Sequence, residues 1–301
     1  MPAPTTPLPA MRVDHVSIAV PAIDPALALF RRILPVRMRR EPTRGYDGDF
    51  RWTDFFVGDW KLELIESARP VSFVERFIAR RGPGFHHLSL DVEEDALAGY
   101  TADLERAGLR IVDRGDYGNG DATAFISPRT SPGILVQFWQ VPGFHGARPN
   151  DYPTEPVATK DGVGFRVRHL GLAVRSIDDA LAWFRRFFRV DAVGPRRRSQ
   201  DGLHEAVGFW IGDWETMLVE PARPGSAADR FLARRGPGFH HLAIDVDPLA
   251  RLVAQLDASG VRVLEGRDGD GRPTAFVRPR DACGVLLHFR QGSDLARPRR
   301  P

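Results

Sequence analysis

Short runs rich in branched residues recur along the chain, each followed by a stretch with apolar positions at helical spacing. DHVSIAV (14–20), HHLSLDV (86–92), RHLGLAV (168–174) and HHLAIDV (240–246) read as strands. PALALFRRIL, EEDALAGYTADLERAG, DDALAWFRRFF and DPLARLVAQLDASG follow them and read as amphipathic helices, with Asp24 and Asp178 as N-caps of the first and third. Further alternating stretches close each unit: WTDFFVG and WKLELIES, TAFISP and GILVQFW, and their counterparts in the second half. Strand, helix, then strands, four times over, predicts an α+β fold with mostly antiparallel sheet.

The four units form two pairs. His15, Glu63 and His87 lie 154 residues before His169, Met217 and His241, and TAFISPRTSPGILVQFWQ pairs with TAFVRPRDACGVLLHFRQ at a spacing of 151. RRGPGFHHL occurs twice unchanged, at 80–88 and 234–242. The chain therefore reads as a tandem duplication. A Pro-rich tail expected to be disordered covers 1–10, a first domain 11–141, a Pro/Gly-rich linker 142–164, a second domain 165–292 and a tail 293–301. The pattern leaves open whether modules pair in order within a half or exchange between halves.

Alternation along the strands assigns faces. His15, Ser17 and Ala19 share one face of the first strand, and Val16, Ile18 and Val20 the other; His87, Ser89 and Asp91 share a face in the same way. The branched face suits packing under a helix, and the small-residue face leaves room for a cavity containing a histidine. Glu63 falls mid-strand in WKLELIES, and Gln137 at the corresponding place in GILVQFWQ. If two units pack face to face, His15, Glu63, His87 and Gln137 converge. Two imidazoles, a carboxylate and an amide oxygen suit a divalent Mn, Fe, Co, Ni or Zn ion. Open positions on it could take a substrate with two neighbouring oxygens. His86 and His240 point to the opposite face and read as structural.

Composition narrows the classes. The chain has 301 residues, 43% of them hydrophobic, which is enough for a sizeable core. No apolar run approaches the roughly 18 residues of a membrane span, so no membrane partner is expected. The single Cys283 excludes an intramolecular disulfide, fits a cytoplasmic location, and reads as a turn or packing residue. The formal charge is +3 and the pI about 9.4. Acids interleave with the arginines, and the one basic block in the body is Arg196–Arg198, so no nucleic-acid partner is expected. A small-molecule substrate is the expected partner, with a homodimer left open.

At these residues the chain resembles the vicinal oxygen chelate superfamily, which includes glyoxalase I, extradiol dioxygenases, bleomycin-resistance proteins and methylmalonyl-CoA epimerases. Its fold is built from paired βαβββ modules around a metal-binding cavity. HVSIAV, SFVERFIARRGPGFHHLSLDV (72–92) and AFISPRTSPGILVQF are most similar to the epimerases. The resemblance implies four βαβββ modules in two tandem glyoxalase-like domains. It implies a divalent metal held by His15, Glu63, His87 and Gln137, with Glu and Gln exchanged, relative to the epimerases, between two pseudo-twofold-related positions. The matching second set is His169, Met217, His241 and His288, which has lost the carboxylate. The loop acid of the epimerases falls near Asp47, with Asp201 as its repeat partner, and Glu63 becomes the carboxylate acting from the mirror side. The implied activity is a metal-dependent epimerase or isomerase that moves a proton beside a carbonyl through a metal-chelated enediolate. Its implied substrate is an acyl-CoA, a hydroxy-ketone or a cyclitol. An extradiol-type dioxygenase or glyoxalase-type lyase is the alternative among enzymes, and a small-molecule binding or resistance protein the alternative outside them.

Overall fold

A computed structural model describes residues 7–118, 120–144, 151–268 and 271–296. The readings made for 1–6, 145–150 and 297–301 as tail or linker fall outside the described residues. The first repeat runs β1 (Met11–Ala19), α1 (Ile23–Ile33), β2 (Arg37–Arg44), β3 (Phe50–Val57), β4 (Trp60–Ser67), α2 (Phe73–Arg81), β5 (Gly84–Val92), α3 (Leu97–Arg106), β6 (Ile111–Gly118), β7 (Asp121–Ile126) and β8 (Leu135–Gln140). These strands form one eight-stranded sheet in the order β2-β3-β4-β1-β5-β8-β7-β6. In each module a helix crossover lets the last strand lie parallel beside the first, β1 with β4 and β5 with β8, while the intervening hairpins are antiparallel.

The second repeat runs β9 (Ala158–Lys160), β10 (Val163–Ala173), α4 (Ile177–Phe187), β11 (Ala192–Val193), β12 (Arg197–Arg198), β13 (His204–Ile211) and β14 (Trp214–Pro221). It continues with α5 (Ala227–Arg235), β15 (Gly238–Asp247), α6 (Leu249–Ala258), β16 (Val263–Arg267), β17 (Pro273–Val277) and β18 (Leu287–Gln291). Its sheet follows the same path, β11-β13-β14-β10-β15-β18-β17-β16, with β12 on β13 and β9 on β10. The sheet thus begins inside the segment read as linker. At the other end Ala10, in the segment read as disordered tail, donates its N–H to Glu93 (3.1 Å) and accepts one back from the Glu93 backbone (3.0 Å).

Asp24 and Asp178 do not cap their helices. The first N–H of each module helix is instead taken by a side chain from the last strand of its own module. Glu66 accepts from Ile23 (2.6 Å), Gln140 from Leu97 (3.2 Å), Glu220 from Ile177 (2.8 Å) and Gln291 from Leu249 (2.9 Å). These groups satisfy donors that the helix cannot satisfy itself, and the two carboxylates also face the positive end of the helix dipole. Each lies three residues beyond Glu63, Gln137, Met217 or His288, hence on the opposite face of its strand. One strand therefore anchors its helix on one side and presents a candidate ligand on the other. Ser176 caps α4 through the Asp179 N–H (3.1 Å), and Asp178 pairs with Arg196 instead. Arg196 is also held by Glu205 and Glu220, so the first arginine of the basic block is locally neutralised.

Packing gathers the described chain into two compact units, each joining a module of one repeat to a module of the other. One comprises Met1–His15, His87–Asn150 and Leu170–His240; the other Val16–His86, Asp151–His169 and His241–Pro301. Within the first, Trp183 donates to the Thr130 carbonyl (3.0 Å) and Phe138 lies 5.8 Å from Phe188, ring to ring. Within the second, Lys61 donates to the Tyr152 hydroxyl (2.6 Å), and Phe56 packs edge-on against the Tyr152 ring. The doubled RRGPG string finds its reason here. A Cβ on Gly284 would sit 1.8 Å from the Pro83 carbonyl oxygen, and one on Gly133 would sit 2.1 Å from that of Pro237. Each GPG thus presses its backbone against a glycine turn of the other repeat, in one unit and again in the other.

Candidate metal centre

Register places the candidate ligands. Ser17 of β1 lies beside Glu63 of β4, and Ser89 of β5 beside Gln137 of β8. Neighbours in register point to the same face, so His15 and Glu63 share one face, as do His87 and Gln137. The second repeat keeps the arrangement with different residues: Gly171 beside Met217, and Ala243 beside His288.

His15, Glu63 and His87 come together. One ligand atom from each lies within 4.8 Å of the other two, and all three residues are buried. Donors about 2.0–2.2 Å from one ion lie at most about 4.4 Å apart, so small rotamer adjustments would close the group on a metal. The His15 and His87 rings meet edge to face with centroids 5.4 Å apart. His15 Nδ1 lies 2.7 Å from Asp14 Oδ2. With Nδ1–H donating to that carboxylate, Nε2 carries the lone pair, the usual orientation of a metal-binding histidine. Arg12 bonds Asp91 and lies 3.4 Å from Asp14, so these buried carboxylates have a cation beside them. Gln137 is buried on the same face. Nothing in the one-dimensional pattern singled out Asp14.

The second repeat is different. His169 Nε2 lies 3.2 Å from His241 Nε2, so the two imidazoles bond each other, one donating and one accepting. His288 stacks on Phe276 with centroids 4.4 Å apart. Arg168 stands where the first repeat has Asp14, and Met217 where it has Glu63. Burial first, then Arg290, His288 and Arg168, drive the pKa of His169 well below the ordinary histidine value. Among the described residues, the carboxylate-bearing group of the first repeat has no counterpart here. Met217 offers this pair no carboxylate.

Asp47 lies in an exposed turn between β2 and β3, where its carboxylate accepts the Asp49 N–H (2.9 Å). Asp201 does the same in the second repeat, accepting from Ser199 Oγ and the Leu203 N–H. The Ser199 bond is the chief reason that its pKa is lowered. Neither acid belongs to the His15–Glu63–His87 group, and both serve their own turns. Cys283 sits in a turn with φ +51°, and burial raises its thiol pKa.

His86 faces away from the cluster, packed against Phe73 and Phe77, and burial brings its pKa down to about 4. An unfolded histidine titrates near 6.5. Stability is therefore full above that value and falls by about 1.4 kcal/mol per pH unit as pH drops from 6.5 towards 4. In metal-free protein, His86→Leu is expected to flatten the pH dependence of the urea midpoint in that window by this one-proton slope. An unchanged slope would show that His86 is charged or exposed in the fold.

The residues 14–125 and 168–276 each match the sequence profile of the Glyoxalase/Bleomycin resistance protein/Dioxygenase superfamily. The chain belongs to this superfamily. Both matches begin at the histidine strand of a repeat, and together they span most of the described chain. The chain is 31% identical over 134 residues to the uncharacterized protein YqjC of Bacillus subtilis, covering 44% of this chain and 94% of that one. It is 24% identical over 131 residues to the ethylmalonyl-CoA/methylmalonyl-CoA epimerase of Cereibacter sphaeroides, covering 42% and 97%. A solved variant of 4-hydroxymandelate synthase from Streptomyces coelicolor superposes on 95% of this chain and 94% of its own, with TM-score 0.63 and 17% identity. That likeness concerns the fold, a tandem glyoxalase-like arrangement over the whole chain. Among the described residues no helix is long and apolar enough to cross a membrane.

Proposed function

We propose that the first repeat is a divalent-metal-dependent epimerase or isomerase that moves a proton on the carbon beside a carbonyl, in a substrate with neighbouring oxygens. The observation that carries this reading is the buried His15–Glu63–His87 group, with Gln137 in register on the same face. The epimerase relatives support an acyl-thioester substrate, with a hydroxy-ketone or cyclitol as the other carbonyl compound of suitable chemistry. His15, Glu63, His87 and Gln137 would hold a Co, Mn, Ni, Zn or Fe ion. When bound, the ion supplies positive charge opposite the carbonyl oxygen, which eases removal of the neighbouring proton. Asp14 fixes the His15 tautomer, and burial keeps bulk water from the carbanion. Glu63 is the carboxylate placed to help hold the ion and to take and return the proton. Asp47, occupied by its turn, has no part in this reading. The second repeat serves as a scaffold that completes the packing units.

The test is solvent deuterium exchange. Protein reloaded with metal is expected to wash deuterium into the reacting carbon of at least one compound in a panel of 2-acyl thioesters and hydroxy-ketones. No exchange across the panel would sink the proposal. Glu63→Gln is expected to slow exchange by about 100-fold or more; near-normal exchange in that variant would remove Glu63 from the mechanism.

A further inference from the structure

The second module of the first repeat carries aromatic side chains around its candidate ligands, and all of them lie in one packing unit, within His87–Asn150. Phe125 of β7 is in register with Gln137 of β8, and Trp139 follows Gln137 two residues along, so all three share the face of His87. Phe125 meets the His87 ring edge-on, with centroids 5.7 Å apart. Trp139 stacks on Tyr117 of β6, with centroids 5.5 Å apart and planes 15° from parallel. The Tyr117 ring folds back over Gly115 to reach this place: a Cβ on Gly115 would sit 2.5 Å from its hydroxyl oxygen, which lies 3.3 Å from Thr123 Oγ1. The opposite face of these strands, with Ala124, Ile126, Val136 and Phe138, is buried. Phe125 and Trp139 are only half-buried and Tyr117 is 37% exposed, so the rings are open to a ligand from solvent.

The second repeat fills the same places differently. The spacing of 151 holds through this stretch, and Gly266 pairs with Thr274 as Gly115 pairs with Thr123. Asp268 and Arg290 therefore stand for Tyr117 and Trp139, and they form an ion pair at 3.1 Å. Phe276, which stands for Phe125, is stacked on His288. The aromatic pair is thus not needed to build the sheet, since a charged pair occupies its place in the repeat that has lost the carboxylate. Flat apolar surface and metal-type donors occur together in one repeat and are replaced together in the other.

We infer that Phe125, Trp139 and Tyr117 are specificity-determining residues that select a substrate carrying a planar aromatic ring beside its chelating oxygens. This rests on the metal-centre reading above and narrows its substrate class to aryl-bearing carbonyl compounds. Phe125 is one strand spacing, about 5 Å, from Gln137, and Trp139 one two-residue step, about 7 Å. A ring held by them is close enough to be attached directly to the carbons that bear the oxygens. Aromatic faces and edges attract such a ring beyond the gain from its buried area, which an ion pair at the same place does not.

The test uses the full chain loaded with cobalt and two probes with the same chelating head, acetohydroxamate and benzohydroxamate. In calorimetry, wild type is expected to prefer benzohydroxamate by about tenfold or more. Trp139→Ala and Tyr117→Ala are each expected to cut that preference several-fold, and Tyr117→Asp combined with Trp139→Arg to abolish it. The combined variant installs the pair with which the second repeat folds, so it keeps the test decisive if the alanine variants unfold. No preference in wild type, or an undiminished preference in the combined variant, overturns the ring assignment; acetohydroxamate binding then still reports the metal centre. A preference lost only together with cobalt content and melting temperature also overturns it, by showing that the rings serve to pack the sheet. Failure of wild type to hold cobalt overturns the metal-centre reading and this inference with it.

Discussion

His87→Ala is expected to abolish metal binding, while His241→Ala leaves it intact. After chelation and reloading with cobalt, elemental analysis should find a single ion per wild-type chain, none in His87→Ala, and a single ion in His241→Ala. The asymmetry does not come from the strands, since RRGPGFHHL delivers both histidines from the same position of equivalent strands, β5 and β15. It comes from what meets them. His87 meets His15 and Glu63 within 4.8 Å. His241 meets His169 at 3.2 Å through the nitrogen a metal would need, and Met217 replaces the carboxylate. Removing one of three charged or imidazole donors leaves too few for tight binding, whereas removing His241 breaks only an imidazole pair. Two ions in wild type, each lost with its own histidine, would overturn the single-centre reading. The melting temperature of each variant in chelator separates ligand loss from unfolding.

How far this was legible in the sequence depends on whether the cause of each feature is local. Strand alternation placed His15 and His87 on the face with small side chains, and the corresponding places on the last strands of the two modules matched Glu63 with Gln137, because a period of two is written into consecutive residues. The four module helices follow from their apolar spacing for the same reason. The edge strands β2 (RMRREPTR) and β6 (IVDRGDYG) carry no such signal, being mostly unburied on both faces. The helix caps were misread because the groups that take the first N–H of α1 and α4, Glu66 and Glu220, lie 43 residues along the chain from it, and because Ser176 rather than Asp178 caps α4. Local Asp24 and Asp178 looked sufficient. Asp47 was singled out by resemblance alone, and the turn bond it accepts from the Asp49 N–H is a local feature that a DG sequence already implies. Cross-repeat packing could not be read at all, since an identical string in both repeats is equally compatible with pairing in order or by exchange.

That exchange makes one glycine unusually sensitive, and Gly284→Ala is expected to destabilise the protein by about 4 kcal/mol or more. Two effects add. The backbone there has φ +82°, where an L-residue is strained by about 1 kcal/mol. The new methyl would also lie 1.8 Å from the Pro83 oxygen, 2.3 Å from its carbon and 2.8 Å from the Gly84 nitrogen. These are backbone atoms that no rotamer change can move, so the GPG strand entry and the turn before β18 must separate. Gly236→Ala isolates the backbone effect: its φ is +73° and ψ −175°, a region nearly reserved for glycine, with nothing within 4 Å of the added carbon, so a loss of about 1–3 kcal/mol is expected. Gly133→Ala, 2.1 Å from the Pro237 oxygen, should repeat the large loss in the other unit. Urea unfolding of the three variants decides it. Equal, small losses at all three would mean that the repeats do not press together at their glycines, and that the doubled string serves only to cap α2 and α5 and to start β5 and β15. Large losses at 284 and 133 alone would show that each repeat folds against the other's turn, so that neither half is expected to be stable when expressed by itself.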